Sequence, residues 1–105
     1  MVVGVNSDDS VKRLKGASRP VVDEYARQRM MASFQFVDAV VLFDEDTPLQ
    51  LIQNILPDIL VKGNDYTIEN IVGSDVVLGN GGSVETIELV PGYSTTNLIK
   101  LIKNL

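Results

Sequence analysis

Short apolar segments alternate with segments of helical character along the chain, and this alternation predicts the secondary structure. The apolar segments are rich in Val, Ile and Leu, and most are apolar at successive positions. This is typical of strands that are buried on both faces of a sheet. Four strands are predicted, at residues 1–5, 37–43, 58–61 and 84–89.

Capping residues predict where the helices between these strands begin and end. Asp23 is the expected N-cap of a helix that runs to about Phe36. Thr47-Pro48 opens a helix that stops before Pro57. Two short helices are expected between the third and fourth strands. Ser94 caps a last helix whose apolar side chains are expected to face the core, namely Leu98, Ile99, Leu101 and Ile102.

Strands that alternate with helices in this way predict an α/β fold, a Rossmann-like parallel sheet with helices on both faces. No linker is long enough to separate two domains, so residues 1–105 are expected to form a single domain. The residues between the first strand and Arg19-Pro20 are expected to form loops, with Lys15 in one of them beside Gly16.

Composition and charge exclude some classes of function. Hydrophobic residues make up 45% of the chain and charged residues 22%, an ordinary balance for a globular protein. The net charge of -5 argues against a nucleic-acid-binding protein, because such proteins usually carry a basic surface. No apolar segment approaches the length of a membrane span. We therefore expect a cytoplasmic protein with neither nucleic acid nor membrane as its partner.

The chain contains no histidine and no cysteine, which excludes several classes of site. A Ser-His-Asp triad, a Cys-His pair, imidazole or thiolate metal ligands and an imidazole base are all ruled out. Chemistry in this chain must use Lys, Arg and Asp side chains, hydroxyls and backbone N–H groups.

Two segments that follow predicted strands carry the most chemical information, since ligands of parallel α/β sheets bind beyond the carboxyl ends of the strands. Ser94-Thr95-Thr96 opens a helix, where backbone N–H groups, the helix dipole and three hydroxyls suit a phosphate. The alternative is an ordinary Ser N-cap. Lys62, Gly63 and Asp65 suit a phosphate and a sugar hydroxyl, and the alternative is a solvated turn with a surface ion pair.

Charged residues elsewhere in the chain likewise have either a ligand-binding or a structural interpretation. The only basic cluster is either a ligand site or a solvated patch, and Arg27 in the second helix is either a ligand or a surface salt-bridge partner. The acidic segment Asp44-Glu45-Asp46 is expected to complement the dipole of the following helix rather than to hold a metal. The basic cluster consists of Lys12, Arg13, Lys15 and Arg19.

The order and spacing of these motifs are more specific than any one of them. Together they resemble the cytidylyltransferase-like nucleotidylyltransferase superfamily over essentially all 105 residues. The most similar branch is the heptose 1-phosphate adenylyltransferases, which make ADP-heptose. The motifs are Val3-Gly-Val-Asn-Ser-Asp8, Arg13-Leu-Lys-Gly16, Arg19-Pro20, Val37-Asp38, Phe43-Asp-Glu-Asp-Thr-Pro48, Pro57-Asp58, Leu60-Val-Lys-Gly-Asn-Asp-Tyr66, Val72-Gly73 and Ser94-Thr-Thr96.

The resemblance implies an adenylyl transfer, in which an oxygen of a sugar phosphate attacks the α-phosphorus of ATP. Mg²⁺ is the implied cofactor, and pyrophosphate is the leaving group. Lys15 matches the catalytic lysine that reaches a phosphate, and Arg27 matches an arginine near the sugar phosphate. The residues that match the nucleotide-binding and triphosphate-binding positions of the family are Lys62, Gly63, Asp65, Ser94, Thr95 and Thr96.

The chain departs from the family at its start. The family opens with a strand and a Gly-x-Phe-Asp-x-x-His-x-Gly-His turn, and this sequence contains neither. We therefore expect a partial domain that lacks its first, central strand and is impaired in catalysis when alone. Either the chain is a fragment, or another copy fills the open slot as a homo-oligomer.

Two alternatives to adenylyl transfer remain open at this point. One is a cytidylyltransferase that acts on a small alcohol phosphate. The other is a non-catalytic module that binds nucleotide or associates with itself.

Overall fold

A computed structural model describes residues 1–63 and 67–105 of the chain. These residues form two compact units, Met1–Ile55 and Leu56–Leu105. The prediction of a single domain stays a prediction. The elements are β1 (Val2–Asn6), α1 (Asp8–Lys15), α2 (Glu24–Ala32), β2 (Ala39–Phe43), α3 (Leu49–Ile55), β3 (Ile59–Gly63), a 3₁₀ helix (Ile68–Asn70), α4 (Ser74–Gly79), β4 (Ser83–Ile87) and α5 (Thr95–Lys103).

The first unit is built on the parallel pair β1 and β2, in which Asn6 lies opposite Phe43. Helix α2 packs against both strands. Helix α3 approaches β1 at Gly4, where a Cβ atom would lie 3.0 Å from the Leu51 side chain. Glycine at this position therefore lets α3 come close to the strand. The buried apolar side chains of this unit are Val5, Phe43 and Ile52.

The segment that follows β1 is helical, so the expectation of a loop there is wrong. The Ser7 hydroxyl accepts the backbone N–H of Ser10 and caps helix α1, which continues to Lys15. Two aspartates in the first turn and three basic residues in the last turn complement the helix dipole. Gly16 ends the helix with a φ of 99°. Lys15 therefore lies in the last turn of a helix and not in a loop.

Helix α2 begins as predicted and ends earlier than predicted. The Asp23 side chain accepts the backbone N–H of Ala26 at 2.8 Å, so its role as N-cap is confirmed. The helix ends at Ala32 rather than near Phe36. At its end the Ser33 hydroxyl donates to the Met30 carbonyl at 2.6 Å, and such local bonds offer the backbone an alternative to a further helical turn.

The second unit is built on the parallel pair β3 and β4, in which Gly63 lies opposite Ile87. Helix α4 and the 3₁₀ helix pack against these strands and against each other. Both short helices were predicted between the strands, and Gly73 separates them with a φ of 86°. Among the described residues of this unit, the buried ones are Ile71, Gly73, Ser74, Val77 and Val84.

Helix α5 is confirmed, but the prediction that its apolar face lies in the core is wrong. Leu98, Leu101 and Ile102 are 56%, 66% and 59% exposed. An amphipathic helix buries its apolar stripe only where a matching surface is available. Helix α5 has no buried residue, so its apolar stripe is not covered by the described residues of the second unit.

The prediction of a parallel α/β fold is confirmed, and the strands occur as two separate two-stranded sheets. Several apolar strand residues are consequently exposed, among them Val2, Ile59, Val61 and Ile87. Among the described residues, no helix is both long and apolar enough to cross a membrane.

Candidate functional site

Two of the predicted binding segments follow paired strands of the second unit. Lys62 and Gly63 are the last residues of β3, and β4 ends beside them at Ile87. Because the strands are parallel, their carboxyl ends lie at the same edge of the sheet, which is where such folds bind ligands. A Cβ atom on Gly63 would lie 3.4 Å from the side chain of Leu89, just after β4. Asp65, predicted to bind the nucleotide, lies outside the described residues.

The N-terminus of α5 is an ordered cap. The Ser94 hydroxyl accepts the backbone N–H of Asn97 at 3.0 Å, and the Ser94 carbonyl accepts that of Leu98 at 3.0 Å. Gly92 turns the chain into the helix with a φ of 85°. The Asn97 side chain donates to the Gly92 carbonyl at 3.4 Å, which ties this turn to the helix. The Ser94 hydroxyl therefore acts as a helix cap, as the simpler alternative predicts.

The cap also determines which backbone N–H groups at the start of α5 remain available to a ligand. The backbone N–H of Asn97 is bound to Ser94, so it is not available to a phosphate. Thr95 is the first helical residue, and helix geometry gives its N–H no partner within the helix. Thr95 and Thr96 are exposed, as is the neighbouring Tyr93, at 86%. The N-terminus of α5 thus presents exposed residues at the positive end of the helix dipole.

In the first unit, Arg27 is bound to protein groups. Its guanidinium forms an ion pair with Asp8 at 2.9 Å, and its Nε donates to the Val22 carbonyl at 2.9 Å. The Arg27 and Asp8 side chains are 23% and 26% exposed. The Asp8 backbone N–H also donates to the Glu24 carboxylate at 3.3 Å. Arg27 thus links α2 to the start of α1, which matches the salt-bridge alternative.

Lys15 lies at the other end of α1 from this ion pair. Its side chain forms no hydrogen bond or ion pair within the described part of the chain, and the residue is exposed. Seven residues of helix separate it from Asp8, which corresponds to about 10 Å along the axis. Arg27 contacts the first residue of α1, and Lys15 is the last residue of that helix, so the two side chains lie near opposite ends of α1. The Lys15 side chain is available to a ligand.

The acidic segment that follows β2 holds helix α1 in place. The Ser7 hydroxyl donates to the Asp44 carboxylate, and the Ser10 hydroxyl donates to the Glu45 carbonyl at 2.8 Å. Arg13 donates to the Asp46 carboxylate at 2.9 Å and also to the Asp44 carbonyl. The hydrogen bond to Asp46 raises the pKa of the Arg13 guanidinium above its usual range.

The sequence-based expectation for this acidic segment is therefore wrong. The first turn of α3 contains no acidic residue, so the segment does not complement the dipole of that helix. It accepts hydrogen bonds from Ser7, the N-cap of α1, and from Arg13 in α1. Both donors lie more than 30 residues earlier in the chain. A signal for α1 itself was present at residues 7–16: a capping serine, acidic residues, basic residues and a closing glycine.

Replacing Ser10 with alanine is expected to destabilise the first unit by about 1–2 kcal/mol, because the hydrogen bond from its buried hydroxyl to the Glu45 carbonyl would be lost. Ser10 has no exposed surface, and its hydroxyl also accepts from Asn6 at 3.1 Å. Ser33→Ala is the matched control, since its hydroxyl also donates to a carbonyl but at an exposed site. Urea unfolding would show the difference, and equal midpoints for the two variants would contradict the prediction.

No three or more acidic side chains cluster as a metal site among the described residues. Asp44 and Asp46 are both occupied by hydrogen bonds from α1. The described residues therefore do not form a site that would hold Mg²⁺ by themselves, and Mg²⁺ stays a prediction of the family resemblance.

Comparison with known proteins agrees with the motif order. Residues 1–101 match the model of a family described as Cytidylyltransferase-like. The chain is 55% identical over 104 residues to a bifunctional protein HldE of Rhodopseudomonas palustris (strain BisB18), covering 99% of the chain and 21% of that protein. It is 61% identical over 99 residues to the HldE proteins of Caulobacter vibrioides and Rhodospirillum rubrum, covering 94% of the chain and 20% of each. The chain thus spans about a fifth of the length of these curated relatives.

Proposed function

The chain belongs to the cytidylyltransferase-like family, and on this premise we propose that it is part of an adenylyltransferase that acts on a sugar phosphate. The observation that carries the proposal is the parallel pairing of β3 and β4. It brings Lys62 and Gly63, at the end of β3, and the segment that leads from β4 towards Ser94 to the same edge of the sheet. These segments supply the Lys62 charge, the close backbone approach at Gly63 and the N-terminus of α5, and such groups suit a triphosphate.

The proposed reaction is an in-line displacement at the α-phosphorus of ATP. An oxygen of the sugar phosphate forms the new P–O bond, and the bond to the bridging oxygen breaks as pyrophosphate leaves with that electron pair. No protein nucleophile takes part, which agrees with a chain that contains no histidine and no cysteine. The protein contributes by holding the reactants in line and by stabilising negative charge.

The residues have distinct roles in this proposal. Lys15 carries a charge that is free to approach a phosphate, and Thr95 offers a backbone N–H at a helix N-terminus. Arg27 has a less direct role than the resemblance implies, because its guanidinium is bound to Asp8. In this proposal it aligns α1 with α2 and affects the sugar phosphate through that alignment.

Heptose 1-phosphate is the proposed acceptor. The Lys62-Gly-Asn-Asp-Tyr66 motif and the Phe43-Asp-Glu-Asp-Thr-Pro48 motif favour the heptose branch. The similarity to HldE proteins across nearly the whole chain supports the same branch. The glycerol-phosphate cytidylyltransferases, which the sequence also resembles, usually have an acidic residue and Trp in this loop, where this chain has Tyr66.

Pyrophosphate release from ATP and heptose 1-phosphate tests the proposal. We expect release by a chain extended at its N-terminus with a His-x-Gly-His segment, and a rate at least about 100-fold lower from the 105 residues alone, because half of the phosphate site is then absent. CTP with glycerol 3-phosphate is the control pair. Equal rates for the two chains would contradict the impairment, and release with the control pair alone would favour a cytidylyltransferase.

Replacing Thr95 with proline tests the helix N-terminus directly. Proline is tolerated at the first helical position, so the variant removes one N–H and one hydroxyl while it preserves α5. We expect about tenfold weaker ATP binding, measured by calorimetry on the extended chain, since a hydrogen bond to a charged group contributes about 1.5 kcal/mol or more. Thr95→Ala is the control, because it removes the hydroxyl and keeps the N–H. Equal affinities for both variants would argue against an N–H contact.

A further inference from the structure

Helix α1 is too short to hold its orientation by itself. It has eight residues, and isolated helices of this length are not stable in water. The direction in which Lys15 points therefore depends on the contacts that fix α1 within the first unit. These contacts differ between the two halves of the helix.

The first half of α1 is anchored by buried hydroxyls. Ser7 is 6% exposed and Ser10 is fully buried, and both donate to the segment that follows β2. Asp8 is joined to Arg27 of α2. The start of the helix is therefore held from two sides by groups that are largely shielded from water.

The second half of α1 depends on Arg13. Among the side chains of residues 12–15, Arg13 alone forms a hydrogen bond within the described part of the chain. Its two donors reach two different acceptors, the Asp46 carboxylate and the Asp44 carbonyl, so the guanidinium fixes both position and direction. Lysine has a single charged nitrogen and would not reproduce this geometry.

Arg13 and Lys15 point to different sides of the helix. Two residues correspond to about 200° of rotation, so the face that Arg13 holds against the acidic segment is nearly opposite to the face that carries Lys15. The contact therefore directs Lys15 away from Asp44 and Asp46. This leaves the lysine charge for a ligand rather than for these carboxylates.

We propose that Arg13 is a positioning residue, which fixes the end of α1 on the Asp44–Asp46 segment and thereby aims Lys15 at its phosphate. The inference rests on the proposed function, in which Lys15 contacts a phosphate. The Arg13 and Asp46 side chains are 46% and 65% exposed, and ion pairs that exposed contribute little to stability. The contribution of Arg13 is therefore orientation and not global stability.

Amide hydrogen exchange on the 105-residue chain tests the anchoring without any need for turnover. Arg13→Ala and Asp46→Ala are expected to speed exchange at residues 12–16 and to leave the urea midpoint unchanged. The last of these amides, at Gly16, donates to the Lys12 carbonyl at 2.9 Å. Lys12→Ala is the matched control, because it removes a neighbouring charge whose side chain forms no hydrogen bond or ion pair within the described residues. Unchanged exchange in both Arg13→Ala and Asp46→Ala would overturn the proposal.

A double-mutant cycle in the extended chain tests the link to Lys15. We expect Arg13→Ala to lower kcat for pyrophosphate release by about 10- to 100-fold, because small displacements of a catalytic group are costly. Arg13→Lys is expected to recover only part of this loss. In a Lys15→Ala background the further loss from Arg13→Ala should be less than about twofold, since coupled residues are not additive.

The outcomes of the double-mutant cycle separate the positioning role of Arg13 from the proposed role of Lys15. If Arg13→Ala costs the same factor with and without Lys15, Arg13 acts independently and the positioning role is overturned. If Lys15→Ala does not lower kcat, the proposed role of Lys15 fails, whatever the hydrogen exchange shows. Faster exchange together with a non-additive cycle supports the proposal.

Discussion

Replacing Lys15 with alanine is expected to lower kcat for adenylyl transfer by about 10²–10³-fold, the usual loss when one group that stabilises transition-state charge is removed. Lys15 is exposed at the end of α1, and its side chain has no hydrogen bond or ion pair in the described part of the chain. Its charge contributes to the fold only through the dipole of α1, as the charge of Lys12 does. The loss should appear in the rate and not in the stability of the protein.

Lys12→Ala is the control for this prediction. Lys12 lies one turn earlier on the same helix, is also exposed, and is also unpaired within the described residues. Both variants change the net charge equally, so a difference in rate reports position and not charge. Pyrophosphate release by the extended chain is the measurement. Similar losses in the two variants would show that Lys15 acts only through the general basic potential of α1.

Replacing Gly82 with alanine is expected to destabilise the second unit by about 3 kcal/mol, the upper range for overpacking a tight site. A Cβ atom at this position would lie 2.6 Å from the Asp58 carbonyl oxygen and 2.8 Å from the Val77 side chain. The Asp58 carbonyl cannot move freely, because it accepts the backbone N–H of Ser83 at 2.8 Å. Such a loss is a large fraction of the stability of a small domain.

Gly79→Ala is the matched control for Gly82→Ala. Gly79 ends helix α4, and a Cβ atom there would meet no atom within 4 Å. Alanine is favoured over glycine in helices, so this variant is expected to be neutral or to gain up to about 1 kcal/mol. Urea unfolding followed by circular dichroism compares the two. A midpoint for Gly82→Ala at or above that of Gly79→Ala would contradict the close packing at Gly82.

Local signals predicted much of the fold because the interactions involved are local. Asp23 and Ser94 cap their helices through N–H groups three residues away, and the residue types alone identify them. Gly73 is the N-cap of α4 and has a positive φ, which glycine tolerates. The alternation of strands with helices likewise predicted parallel pairing, because such connections are long enough to cross a sheet.

The candidate site was less predictable, because its contacts join distant parts of the chain. Nothing local to Asp46 indicates that Arg13 will bind it, 33 residues earlier. Nothing local to Arg27 indicates Asp8, 19 residues earlier, as its partner. The order of the motifs predicted the family, and the family match confirms it. The assigned roles of the site residues stay predictions.

Residue type, short spacing and motif order were enough to predict the strands, the caps at Asp23 and Ser94, the parallel α/β class and the family. The folded structure was needed to show that Lys15 ends a helix, that Arg27 is bound to Asp8, and that the acidic segment anchors α1. It also left the apolar face of α5 exposed. The physical reason is that a cap is satisfied by neighbours in sequence, whereas a charge or an apolar face is satisfied by whatever the fold brings beside it.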